Sequence, residues 1–180
     1  MSDERFGYHF GYELWMLEQT LRRLVDAPRE QIIINALFES YCIHARALFE
    51  FFDDSPYGGK QDKSSLYVVD NDSYKRFPKP GDRGRVDALN RKLNKQIAHL
   101  DQNGRHVYGV AERISEAEML EMYRLLQREL INFKSQLRPE FKTDAPPDLG
   151  PPPYTLPRPS VSTAQSEGVA FVTGLRTTDD

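Results

Sequence analysis

Cysteine is nearly absent from this chain of 180 residues. Its single representative, Cys42, excludes an internal disulfide and cannot build a thiolate zinc site, and its apolar neighbours read as a small buried side chain in a reducing compartment. There is no Gly-rich phosphate loop, no His-x-x-x-His or Cys-x-x-Cys pair and no Gly-x-Ser-x-Gly elbow, so the usual anchors of nucleotide, metal and serine-hydrolase chemistry are missing. The four histidines, His9, His44, His99 and His106, show no ligand spacing on one helical face, and the expectation is no metal and no cofactor. No apolar segment reads as long enough to span a bilayer, and MSDERFGYHF lacks the basic start and apolar stretch of a signal peptide. A cytoplasmic protein is the expectation.

Proline is unevenly spread. Eight of the 12 prolines lie between Pro139 and Pro159. The composition therefore divides the chain into a folding unit over 1–138 and a Pro-rich, flexible tail over 139–180. Two features of the tail stand out: PPPY at Pro151 to Tyr154, a short polyproline motif, and the apolar GVAFVTGL at Gly168 to Leu175, which could dock or bind another protein.

Charge is uneven as well. The net charge is -3, yet Lys75 to Arg105 holds nine basic and three acidic residues, giving +6 there and -9 elsewhere. Such a segment can present a local basic surface to an RNA, with Arg83, Arg85, Arg91, Lys95 and Arg105 as its binding residues.

The hydrophobic spacing predicts an all-α fold, an antiparallel four-helix bundle with a long loop between helices 2 and 3. Phe6, Phe10, Leu14, Leu17, Leu21 and Leu24 line one side of a first helix, while Tyr8, Tyr12, Trp15 and Met16 make the opposite side too apolar for water alone. That opposite side is either covered within the bundle or forms a dimer or partner surface.

A second helix, from Pro28 to Asp53, is apolar around most of its circumference and must be surrounded by others. Its narrow polar strip of Asn35, Glu39 and Arg46 is a candidate site or the helix's contact with solvent. His44 points away from that strip and reads as a hydrogen-bonded core histidine. Residues 54–83 form the long loop or a hairpin excursion, with LYVVD as its strand-like piece.

Val86, Leu89, Leu93, Ile97 and Leu100 give the stripe of a third helix, stopped by Asn103 and Gly104, with His99 at the stripe's edge. Ser115 and Glu118 form a capping box for a fourth helix carrying Met119, Tyr123, Leu126, Leu130, Phe133 and Leu137.

The run ALFESYCIHARALFEFF (Ala36 to Phe52) and LNKQIAHL (Leu93 to Leu100), with four helices and a long excursion between the second and third, resemble the HEPN-like helical proteins of prokaryotes over roughly residues 30 to 135. The resemblance implies a helical bundle, often dimeric, serving in toxin-antitoxin, phage-defence or RNA-processing systems. Many members are metal-independent ribonucleases, and others are non-catalytic binding or assembly modules.

The ribonuclease members share an Arg, four to six residues, then a His. Here the positions that far before His99 are Lys92, Leu93 and Asn94, so the arginine is missing. The leading expectation is therefore a non-catalytic module that binds RNA through the basic segment, or a second copy or protein partner through Tyr8, Tyr12, Trp15 and Met16. The alternative is a divergent ribonuclease with His99 as acid or base, Lys92 as electrostatic partner and Asn94 as orienting group. A lysine in the arginine's place is a point charge without the planar fork that grips phosphate.

Overall fold

The computed structural model describes residues 6–26, 30–53, 64–69, 74, 77–97 and 114–153. Four α-helices account for most of them, and no strand occurs among the described residues, so the fold is all-α. They are α1 (Gly11–Val25), preceded by a π-helical turn at Phe6–Phe10, then α2 (Gln31–Phe52), α3 (Arg83–Ile97) and α4 (Glu116–Gln136).

The spacing read from the sequence is the packing that is realised. Phe6, Phe10, Leu14, Leu17 and Leu21 are buried on one side of the first helix, and Val86, Leu89 and Leu93 on α3. On α4, Met119, Tyr123, Leu126, Leu130 and Phe133 are buried, with Met122 and Leu125 beside them. The capping box is present in both directions. Ser115 Oγ accepts from the Glu118 backbone N–H at 3.3 Å, and Glu118 Oε2 accepts from the Ser115 N–H at 2.9 Å.

α2 packs against α1, α3 and α4, and long-range contacts fix the directions. Glu13 near the start of α1 meets His44 in the second half of α2, so these two helices run oppositely. The Tyr41 hydroxyl donates to the Met119 carbonyl at 2.6 Å while Phe52 meets Phe133, so α2 and α4 run the same way. Arg85 meets Glu121 and Asp82 meets Arg128, so α3 runs against α4.

One end of the fold is a cluster of rings. Phe133 lies edge-on to Phe6, Phe10, Phe51, Phe52 and Tyr74, with centroids 5.6 to 6.3 Å apart. The described part of the α2–α3 connection joins this cluster. After a short 3-10 turn at Ser64–Leu66, Tyr67 and Val68 are buried, and Val68 bridges Leu137 in place of the strand that LYVVD suggested. Residues 54–63, 70–73, 75 and 76 of the expected excursion lie outside the described residues.

Three expectations are corrected. α2 is not surrounded along its whole length: Ile32 is 75% exposed and Ile43 50%, because α1, α3 and α4 meet chiefly the side carrying Tyr41, Ala45, Leu48 and Phe52. By length and composition, α2 also reaches what a membrane crossing needs, with 22 residues and a mean hydropathy of 1.2, which the sequence reading denied. A core helix passes the same test, and the second half of α2 is core. Finally, residues 139–153 do not behave as a loose tail: Pro146 and Leu149 are buried, because Tyr123, Gln127 and Lys134 of α4 hold the backbone here. The packed unit extends past 138 to 153, and PPPY beyond Pro153 and GVAFVTGL lie outside the described residues.

The ring cluster predicts the weak point of the fold. Phe133→Ala should lower the free energy of unfolding by about 3–5 kcal/mol in urea with an unchanged m-value. Ile131→Ala, on the same helix but 61% exposed, should change it by about 0.5 kcal/mol or less.

Candidate functional site

Two regions were nominated by the sequence, the basic segment on α3 and the exposed side of the first helix. On α3, Arg85 and Lys92 are two turns apart on one side and reach the same carboxylate on α4. Lys92 Nζ donates to both Glu118 oxygens at 2.8 and 2.9 Å, and Arg85 Nη2 approaches Glu118 Oε1 at 3.4 Å. Arg85 also grips Glu121 as a fork, Nε to Oε1 at 2.8 Å and Nη2 to Oε2 at 2.6 Å. Arg83 Nη1 meets Asp53 Oδ1 at 3.4 Å, and Arg128 pairs with Asp82.

Among the described cations of this segment, Arg83, Arg85 and Lys92 are matched by carboxylates that lie far away in sequence. Arg91 and Lys95 are exposed; Arg91 donates to the Asp87 carbonyl at 3.4 Å. Burial tends to push the Glu118 carboxyl up, but the hydrogen bonds from Lys92 and from the Ser115 backbone outweigh it and hold the group below the usual carboxylate range. Glu121 is likewise held down, first by the Arg85 hydrogen bond.

The proposed catalytic group does not assemble among the described residues. Lys92 is half-buried against Glu118, whereas Asn94, two residues and about 200° further round α3, is exposed. His99 and Arg105 lie outside the described residues. The polar strip of α2 resolves into neighbouring pairs: Gln31 donates to Asn35 Oδ1 at 2.8 Å, Arg46 donates to Glu50 Oε1 at 2.7 Å, and Glu39 is exposed.

The side of the first helix that faces away from the core is different. Tyr8, Tyr12 and Trp15 follow one another at intervals of four and three residues and are 74%, 46% and 54% exposed, with Met16 half-buried beside them. The Tyr12 ring sits 6.4 Å from that of Trp15 and meets the His44 ring edge-on at 5.8 Å, which joins this set to α2. Below it His44, 8% exposed, holds Glu13 Oε2 through Nδ1 at 2.7 Å. Ile43, Ile33 and Ile32 extend the exposed apolar surface along α2. Cys42 takes no part: it is buried, and burial pushes its thiol up to about 12, out of nucleophilic range at neutral pH.

Sequence reasoning missed two groups. Glu118 was read as a cap and is also the anion that joins α3 to α4. Glu129 is 1% exposed in the ring cluster's flank, where its Oε1 accepts from the Tyr74 hydroxyl at 2.7 Å and from Asn132 at 3.1 Å. Burial pushes its carboxyl up against those hydrogen bonds. The signal was present, since position 129 falls in the apolar stripe between Leu126 and Phe133. No family model, curated protein or solved structure matches this chain.

The α3–α4 ion pairs carry a pH signature. Glu118 has a lower pKa folded than unfolded, so its contribution is present above the unfolded value of about 4.3 and lost as pH falls through the folded value. Glu118→Gln should therefore melt below the wild type at pH 7, and the gap should close as the pH is taken below about 4. A gap that stays constant from neutral to acid pH would show that the charge of Glu118 contributes nothing.

Proposed function

We propose that this chain is a non-catalytic, dimer-forming helical module that acts by binding protein, its antiparallel four-helix bundle and long α2–α3 excursion being of the HEPN-like type. The observation that carries this reading is the exposed set of Tyr8, Tyr12 and Trp15, continued by Ile43, Ile33 and Ile32. Aromatic side chains concentrate binding energy when they enter a partner's surface, and a soluble domain seldom leaves several of them together in water without one. A cytoplasmic role in a prokaryotic stress or defence system is what the family resemblance adds.

The pairing of Arg83, Arg85 and Lys92 with carboxylates supports protein over RNA as the partner. A phosphate backbone would have to displace Asp53, Glu118 and Glu121 before it could release counterions of its own. It also weighs against cleavage, since the lysine offered as the arginine's substitute is already tied to Glu118.

Sedimentation velocity of the full chain tests the binding face. Tyr12→Ala with Trp15→Ala should weaken self-association by about tenfold or more, with little change in melting temperature because both rings are surface groups. An unchanged association would sink the face. A separate test concerns RNA: end-labelled mixed RNA should stay intact with the wild type in chelator and bind without a steep salt dependence. Cleavage by the wild type that disappears in His99→Ala would overturn the non-catalytic reading.

A further inference from the structure

Past Pro139–Phe141 the chain turns and then runs from Ala145 to Pro153 with neither helix nor bridge. Two of its residues, three apart, are buried, Pro146 and Leu149, while Ala145, Gly150, Pro152 and Pro153 are half-buried and Pro147, Asp148 and Pro151 are exposed. Three residues per turn is the period of a polyproline II helix, which leaves its backbone carbonyls unpaired within the chain.

Here those carbonyls are taken by side chains of α4 and α1. Lys134 Nζ donates to Pro146 O at 2.9 Å, and Gln127 Nε2 to Leu149 O at 3.1 Å and Gly150 O at 2.9 Å. Tyr123 Oη donates to Gly150 O at 3.0 Å, and Arg22 Nη2 reaches Pro151 O at 3.4 Å. Burial raises the Tyr123 phenol, so it remains a donor across the working pH range. Gly150 lies so close to the Glu18–Arg22 ion pair that a Cβ would stand 2.6 Å from Glu18 Oε1 and 2.7 Å from Arg22 Nη2. Donors to peptide carbonyls, two apolar anchors three apart and a glycine at the closest approach are the grammar by which grooves read extended peptides.

We propose that the α1–α4 groove is a binding groove for an extended Pro-x-x-Leu-Gly-Pro segment, that residues 145–153 occupy it as an intramolecular ligand, and that the same segment of a second copy takes their place by exchange. The groove contacts backbone carbonyls and two anchors, so it does not distinguish its own segment from a copy's. The tether gives the cis segment an effective concentration in the millimolar range, which is why it fills the groove in the single chain. Exchange of an identical element is a low-cost route to a dimer. This groove uses Arg22, Tyr123 and Gln127 and is independent of the face built by Tyr12 and Trp15.

The test loosens the cis segment in the full chain with Leu149→Asp and titrates in a fluorescein-labelled peptide of residues 143–153, read by anisotropy. The loosened chain should bind it at least about thirtyfold more tightly than the wild type, since the competing tethered segment is weakened. Adding Gln127→Ala and Tyr123→Phe should reverse most of that gain. For the second copy, the Leu149→Asp chain is mixed with a Gln127→Ala, Tyr123→Phe chain whose segment is intact. A heterodimer that excess peptide dissolves supports exchange, whereas one that peptide leaves intact belongs to the Tyr12–Trp15 face and overturns it. Absence of peptide binding by a Leu149→Asp chain of wild-type helix content would overturn the groove. If Leu149→Asp loses helix content, Leu149→Ala replaces it, and loss of helix content there too would make the segment core and overturn the proposal.

Discussion

The ring of Phe133 is the constraint on which the arrangement depends. It is reached edge-on by the turn before α1, by the last residues of α2 and by Tyr74 of the α2–α3 connection, so three separate parts of the chain are located against one side chain of α4. Edge-to-face contacts have an angular preference that aliphatic packing lacks, and they fix how each helix is turned as well as how near it lies. With Phe6 and Phe10 turned inward, Tyr8, Tyr12 and Trp15 have no direction left but outward. The exposed face is thus a consequence of the ring cluster, and its apolar character is what solvation does not explain.

A second organising contact is the carboxylate of Glu118. It caps α4, accepts from Lys92 and stands within reach of Arg85, so the start of α4 and two turns of α3 are held by one nearly buried group. A carboxylate that satisfies both a helix start and two cations is well placed energetically, because its oxygens are occupied by the donors that lower its pKa. The consequence is subtractive: Arg83, Arg85 and Lys92 of the basic segment are engaged by carboxylates of the same chain.

The same economy of donors appears along the α1–α4 groove. Tyr123 and Gln127 on α4 donate to the carbonyls of a segment that makes no secondary structure of its own, and Arg22 on α1, paired with Glu18, also reaches one of them. Glu129, two residues past Gln127 on α4, holds the Tyr74 hydroxyl beside the ring cluster. α4 therefore carries all three linkages on three of its sides, to α3 by charge, to residues 145–153 by peptide hydrogen bonds, and to α2 and the turn before α1 by rings.

The sequence by itself determined the elements. Intervals of three and four placed Leu14, Leu17 and Leu21, Val86, Leu89 and Leu93, and Leu126, Leu130 and Phe133 in the core, because helical periodicity is a local property that burial needs only to agree with. It also located the α4 cap, the buried Cys42 and the partnered His44, each set by neighbours within a turn or by the apolar character of its own helix face. Tertiary structure alone decided the rest. Whether a basic residue is available depends on carboxylates 26 to 36 residues away, as between Lys92 or Arg85 and Glu118 or Glu121, and no local spacing encodes that distance. Which side of α2 is covered depended on where three other helices settled, which left Ile32 and Ile43 in water. Whether a proline-rich stretch is tail or ligand depended on the donors of α1 and α4 that lie across from it, and composition carries no record of them.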